Sequence, residues 1–262
     1  MKYFLYCVDF LYFIAIFTIF DRIIGDHFTP VKAAGTFLVT WFAVLRDICI
    51  IKCLPWLVPK AVSIEAPRDL LLQFGKIHVT FMSAMGLMQY TGVAYWEISW
   101  IAYIEFVFML LIKEVQLNIF HAWMHKRPPK SAIDKEFKRM HSMHHRTNTN
   151  LWVLNAFYTE ILDGIFENLL APVVLIASKY MLGRMPHINL AAFSMLVLFD
   201  LNCHSAYPHT LCFYNPLDFY MKPTIAHHIH HTNPNKNINQ IPFHHFYRLD
   251  KDIALYNKMH FK

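Results

Sequence analysis

His121-Ala-Trp-Met-His125 and His141-Ser-Met-His144-His145, echoed at His227-His228-Ile-His230-His231, decide how this chain is read. The pattern H-x-x-H-H occurs twice, and H-x-x-x-H precedes its first copy. Imidazole titrates near neutrality and is the commonest metal ligand. On a helix, residues i, i+3 and i+4 share a face. His121 and His125 therefore point one way, as do His141, His144 and His145. Eight such imidazoles exceed the four ligands of one zinc-type site, so two metals are the natural reading.

The surroundings of these clusters are apolar. Of 262 residues, 56% are hydrophobic and only 16% charged, where a soluble domain carries about 25%. The mean hydropathy of +0.30 points the same way. The expected fold is all-α: a polytopic membrane helical bundle with a cytosolic, histidine-rich helical cap that holds a dinuclear metal site. A net charge of +6 would suit nucleic acid in a soluble protein. Here the basic residues lie between apolar runs, so membrane orientation explains them better and no nucleic-acid partner is expected. Cys7, Cys49, Cys53, Cys203 and Cys212 are scattered and odd in number, which is no disulfide framework. Cys49 and Cys53 are expected to pack between helices.

Taken in order, Tyr3 to Phe20 is an apolar run of spanning length, read as a retained first membrane helix rather than a signal peptide. Gly35 to Val58 is a second; its Arg46 and Asp47 are too costly to face lipid and should face the bundle. Ile77 to Trp96 is a weaker span, and Ile98 to Phe120 is a long helix that runs into His121 and His125. After the break at Pro128-Pro129, Ser131 to His145 reads as a basic helix. Leu169 to Leu182 and Ile188 to Leu201 form a hairpin that enters the membrane and returns, delivering Asn202, His204 and His209 to the side it left. Residues 1–97 are read as N-terminal membrane helices and 98–262 as the catalytic domain. Both basic stretches then share a side, so the positive-inside rule puts the histidines in the cytosol.

Histidine-only ligation suits iron, zinc, copper or nickel. Two irons with open positions could activate oxygen for attack on an unactivated C–H bond, with the lipid arriving from the bilayer and water largely excluded. His121-x-x-x-His125, His141-x-x-His144-His145 and His227-x-x-His230-His231, in that order, resemble the fatty acid hydroxylase/sterol desaturase superfamily. His204-Ser-Ala-Tyr207, Asn215-Pro216 and the Asn-rich stretch Asn233 to Asn239 look most like its 4-methyl sterol oxidase and sterol desaturase branch. The resemblance covers roughly residues 98 to 250. It implies an endoplasmic-reticulum membrane enzyme that hydroxylates or desaturates a sterol or fatty-acyl lipid. It also implies two iron ions (zinc in a purified form), O2 as co-substrate, and electrons from cytochrome b5 or a similar external donor. The metal ligands it implies are His121, His125, His141, His144, His145, His204, His227, His230 and His231.

There are departures from the family pattern. Ala122 follows the first histidine where arginine is usual, and Glu160 and Asp163 stand where the family has a histidine and a glutamate. Glu160, Asp163, Asn202, His228 and Tyr207 are expected behind the ligands, orienting them. The isolated His27, His78, His187 and His260 are read as structural or solvated, while His209, His244 and His245 are rim or orienting groups. Two other classes fit the same histidines: a zinc-dependent membrane hydrolase, which needs no oxygen, and a non-catalytic metal-binding relative.

Overall fold

A computed structural model describes residues 29–64, 68–125, 128–147, 149–209, 222–234 and 246–261. The first apolar run, Asn215-Pro216, His27, His244 and His245 lie outside them, as does most of the Asn-rich stretch. The order is α1 (Thr29–Cys53), α2 (Leu70–Tyr90), β1 (Ala94–Tyr95), α3 (Trp100–Gln116), α4 (Ala132–His144), α5 (Ile161–Asn168), α6 (Leu170–Met181), β2 (Ile188–Asn189), α7 (Leu190–Cys203), α8 (Pro223–Thr232) and α9 (Phe246–His260). The fold is helical as the pattern predicts. Among the described residues a two-residue parallel pairing is added, Ala94 with Ile188 and Tyr95 with Asn189.

α3 is the central element. Ser99 caps it, its Oγ accepting from the Ala102 N–H. Its buried stripe of Ala102, Phe106, Met109 and Leu110 packs against α6 and α7, meeting Ala171, Leu175, Phe193 and Leu196. Emptying the Phe106 site would cost about 3–5 kcal/mol, since the residue is fully buried in a shared core. Beyond Gln116 the helix widens into a π-helical turn, Leu117–His121, and closes with Ala122–Met124. Such turns insert a residue into the ladder and re-aim the side chains after it.

Two boundaries differ from expectation. The helix predicted over 77–96 spans Leu70–Tyr90, because Asp69 accepts from the Gln73 N–H at its start and Gly92 (φ 72°) turns the chain at its end. α1 stops at Cys53, where Pro55 opens a short 3₁₀ turn. Cys49 and Cys53 are exposed and free rather than packed between helices. The predicted hairpin is α6 and α7, reversed at Gly183 (φ 64°), where the Arg184 N–H returns to the Lys179 carbonyl at 2.8 Å.

Among the described residues, one stretch is long and apolar enough to cross a membrane: Leu70–Met88 of α2. Only 24% of it is buried, so it is not a core helix, and Leu71, Val79 and Leu87 point outward. α5 and α6 reach spanning length only together, with a 42° bend between them, and α7 is apolar but shorter. The expected polytopic bundle is thus represented here by one full-length candidate span and shorter apolar helices.

Candidate metal centre

Local structure brings the histidines together before any metal is considered. α4 starts with a capping box: Ser131 Oγ accepts from the Asp134 N–H, and Asp134 accepts from the Ser131 N–H, both at 3.0 Å. Asp134 also takes the Trp123 indole N–H at 2.5 Å, and Trp123 stacks on Phe137 at 4.8 Å. The indole hydrogen bond holds the Asp134 carboxyl down at about 2. This joint seats the start of α4 against the end of α3, and so His141 against His121. The α6–α7 hairpin returns His204 to within 3.1 Å of His144, Nε2 to Nε2.

The nine predicted ligands fall into two groups. His121, His125, His141, His145 and His230 form one; His144, His204, His227 and His231 form the other. In the first, Nε2 separations are 2.9 Å (His121–His141), 3.0 Å (His141–His145), 3.1 Å (His125–His141) and 3.2 Å (His121–His125). In the second they are 3.1 Å (His144–His204), 2.9 Å (His204–His227) and 3.1 Å (His227–His231).

The rings also have an order. His125 meets each of the other four in its group at 4.7–4.8 Å between centroids. Those four close a circuit: His121–His141 at 4.5 Å, His141–His145 at 4.7 Å, His145–His230 at 4.8 Å and His230–His121 at 4.7 Å. That is a square pyramid with His125 at its apex. The second group is a square, with edges of 5.0, 4.3, 4.7 and 4.8 Å and diagonals of 6.2 and 5.5 Å.

These contacts cannot all be hydrogen bonds. A neutral imidazole has one N–H and one lone pair, yet His141 Nε2 meets three other Nε2 atoms. Its N–H is committed elsewhere, because Nδ1 faces Asp163 Oδ2 at 3.2 Å. His204 Nδ1 likewise donates to the Asp200 carbonyl at 3.0 Å. For these two rings a bare Nε2 lone pair faces its neighbours, one in each group, and a cation at each focus would satisfy it. With metal–nitrogen bonds of about 2.1 Å, separations of this size are short enough for one ion to be shared within each set.

Charge is consistent with ligation. Burial first, then neighbouring imidazoles, hold His121, His144, His227 and His231 well below the usual histidine range. Burial brings His204 down to about 4 and pushes His145 down as well. These rings stay neutral and keep their lone pairs. His141 is the exception: burial lowers it, but the Asp163 and Glu167 carboxylates outweigh this and raise it.

The residues expected behind the ligands divide. Asp163 stands behind His141 and also accepts from Thr159 Oγ1 at 2.8 Å. Glu160 does not stand behind a histidine; it lies at the start of α5 in an ion pair with Arg139, one contact being 2.9 Å. Its backbone turns outward there, one turn before Asp163. His228 points away from the metal foci, with Nε2 on the Ser205 carbonyl at 2.8 Å and Nδ1 on the Tyr256 hydroxyl at 3.0 Å. Asn202 accepts from Arg46 at 2.6 Å, and the Tyr207 ring packs in the core beside α1. His209 meets Asn257 at 3.1 Å, away from both foci.

Residues not singled out as site groups complete the centre. Glu167, one turn after Asp163, comes to 3.5 Å of His141 Nδ1. The i, i+4 spacing was the signal for it. Asp47 is fully buried and accepts from the Val153 N–H at 2.9 Å, the Ala206 N–H at 2.8 Å and Ser205 Oγ at 3.0 Å. With Arg46 on Asn202, it clamps the chain on both sides of His204. Charged residues inside an apolar run were its signal; its partners are distant in sequence. A cavity of about 120 Å³ reaches His121, His144, His204 and His227 and is walled by Ile77, Phe81 and Met85 of α2.

The fold and site define a helical protein that gathers nine imidazoles into two adjacent nests, each able to hold a metal ion, beside an apolar cavity. Residues 106–251 match the fatty acid hydroxylase family model, which is more than half of the chain and takes in every histidine of both nests. The chain belongs to the fatty acid hydroxylase family, and it is an oxidoreductase of the lipid hydroxylase and desaturase type. No curated protein and no solved structure matches it.

Proposed function

We propose that this protein hydroxylates or desaturates a membrane lipid, of sterol or fatty-acyl type, using O2 and electrons from a separate donor such as cytochrome b5. The observation that carries this is the convergence of nine histidines into two adjacent nests at the end of an apolar cavity. His121, His125, His141, His145 and His230 would hold one iron, and His144, His204, His227 and His231 the other. When bound, the irons supply the oxygen chemistry that breaks an unactivated C–H bond.

The remaining work belongs to the chain. Asp163 fixes the His141 tautomer, and the Asp200 carbonyl fixes that of His204. Ile77, Phe81 and Met85 line the approach from α2, so a lipid chain can leave the bilayer beside that helix and exclude water from the nests. The two H-x-x-H-H helices hold the nests side by side. The membrane is proposed to be that of the endoplasmic reticulum, with the nests facing the cytosol. The sterol branch is favoured by His204-Ser-Ala-Tyr207 and the Asn-rich stretch.

The test is lipid profiling of cells with and without the protein, beside a His230→Ala control, and metal analysis of the purified chain. The expected result is two irons per chain and an oxidised lipid that needs O2 and His230. Turnover that persists without oxygen would favour the hydrolase and end this proposal.

A further inference from the structure

The cavity that reaches the nests has unlike walls. Most of it is apolar, but one side carries Lys113, Asn168 and Asp200. Lys113 is only 2% exposed, an unusual place for a lysine. Its ammonium pairs with the Asp200 carboxylate and donates to Asn168 Oδ1 at 2.8 Å. These contacts account for two of its three N–H donors. The pair lies close to the reacting centre. Lys113, Leu117 and His121 follow one face of α3 and its extension, and all three line the cavity. Asp200 precedes His204 by one turn, about 6 Å along α7.

An isolated buried ammonium would select an anion. An ammonium already neutralised by a carboxylate does not. It offers a donor beside an acceptor with no net charge, which matches a hydroxyl, the group that both accepts and donates. Glu167 also lines this side of the cavity, with Asp163 behind it on His141, so the wall itself carries two carboxylates to one ammonium. A free carboxylate there would meet repulsion without an unpaired cation to offset it. A wholly apolar lipid segment would leave the Lys113 donor without a partner.

We infer that Lys113, Asp200 and Asn168 form a subsite for a neutral hydroxyl of the substrate, held next to the carbon that is oxidised. This rests on the proposed lipid oxidation and adds to it that the reacting carbon lies near the lipid's hydroxyl rather than far along an apolar chain. Lys113 and Asp200 are specificity-determining residues; neither is a metal ligand.

The metal-loaded full chain in detergent is titrated with hexadecan-1-ol, hexadecanoate and hexadecane, reading the shift in thermal midpoint. In the unaltered protein the alcohol should bind at least about tenfold more tightly than the other two, as expected for a hydrogen bond to a charged group. Asp200→Asn removes the charge paired with Lys113 and should narrow the gap between alcohol and carboxylate, with Glu167 still present to oppose the anion. Lys113→Met should remove the preference for alcohol over alkane. Equal binding of all three probes to the unaltered protein would overturn the inference, even if neither variant folds. So would an unchanged gap in a folded, metal-loaded Asp200→Asn protein. A helix-stapling role alone would lower stability without changing any preference. Should the change in preference appear while no lipid is oxidised in cells, the subsite stands and the proposed reaction falls. Lipid oxidation without any preference for the alcohol would instead leave the reaction standing and remove the subsite.

Discussion

The five-histidine and four-histidine nests are built from the same motif used in opposite senses. In the first H-x-x-H-H, His141 and His145 go to the five-histidine nest and His144 crosses to the other. In the second, His227 and His231 go to the four-histidine nest and His230 crosses back. Residues i and i+4 lie almost over one another on a helix, while i+3 lies to one side of that line. Each motif therefore straddles the line between the two foci, and neither nest can form without both helices. The nests differ in exposure and support. His125 and His145 are half-buried, whereas all four members of the other nest are buried. The five-histidine nest is backed by carboxylates on His141, and the four-histidine nest by a backbone carbonyl on His204. One nest is thus electrostatically braced near the surface, the other sterically enclosed.

Removing His204 is the most severe test of this division. It belongs to one nest only, and its helix is clamped by Asp47 and Arg46 independently of the imidazole. His204→Ala should reduce the metal from two ions per chain toward one and abolish lipid oxidation, while the five-histidine nest keeps its metal. Metal analysis of the purified variant reads the outcome directly. Loss of both ions together would show that the nests are a single cooperative unit rather than two sites.

The spacing of the histidines carried the site because helix periodicity is a local property. The α4 helix, the α6–α7 hairpin and the run of α3 into His121 follow from the same local signals: Ser131 and Asp134 as a cap, Gly183 as a turn, an apolar stretch that ends in polar residues. The sorting of five against four was not legible, because it depends on how α4 and α8 are rotated about their axes. That rotation is set by contacts such as Trp123 with Asp134 and His228 with Tyr256. Asp47 and Lys113 could be flagged only as charges in apolar runs. Their partners, Ala206 and Asp200, are far along the chain.

Asp163 tests the bracing. Its carboxylate fixes His141 with Nε2 bare toward the five-histidine nest. Asp163→Asn keeps the shape but removes the charge and can present an amide N–H where an acceptor is needed. The affinity of that nest for metal should fall about 10–100-fold, the usual cost of losing such a partner, with the four-histidine nest unchanged. Chelator competition resolves the two release steps. Equal weakening of both nests would mean that the carboxylate supports the whole bundle rather than one site.

Glu160 gives the smallest effect and the sharpest contrast, because only two residues separate it from Asp163 and both are acidic. Glu160 is the N-cap of α5, with extended backbone, so its side chain leaves the helix before the inward-facing turn begins. It reaches Arg139, which is 55% exposed and retains Glu136 as a second partner. An ion pair in water contributes little, since solvent screens it and ordering two long side chains opposes it. Glu160→Gln should therefore leave metal content, chelator release and thermal midpoint unchanged within error. A loss of metal from the five-histidine nest in this variant would break the contrast. It would mean that the Arg139 link on α4 sets the angle of His141, and that the bracing extends from Asp163 out to the surface.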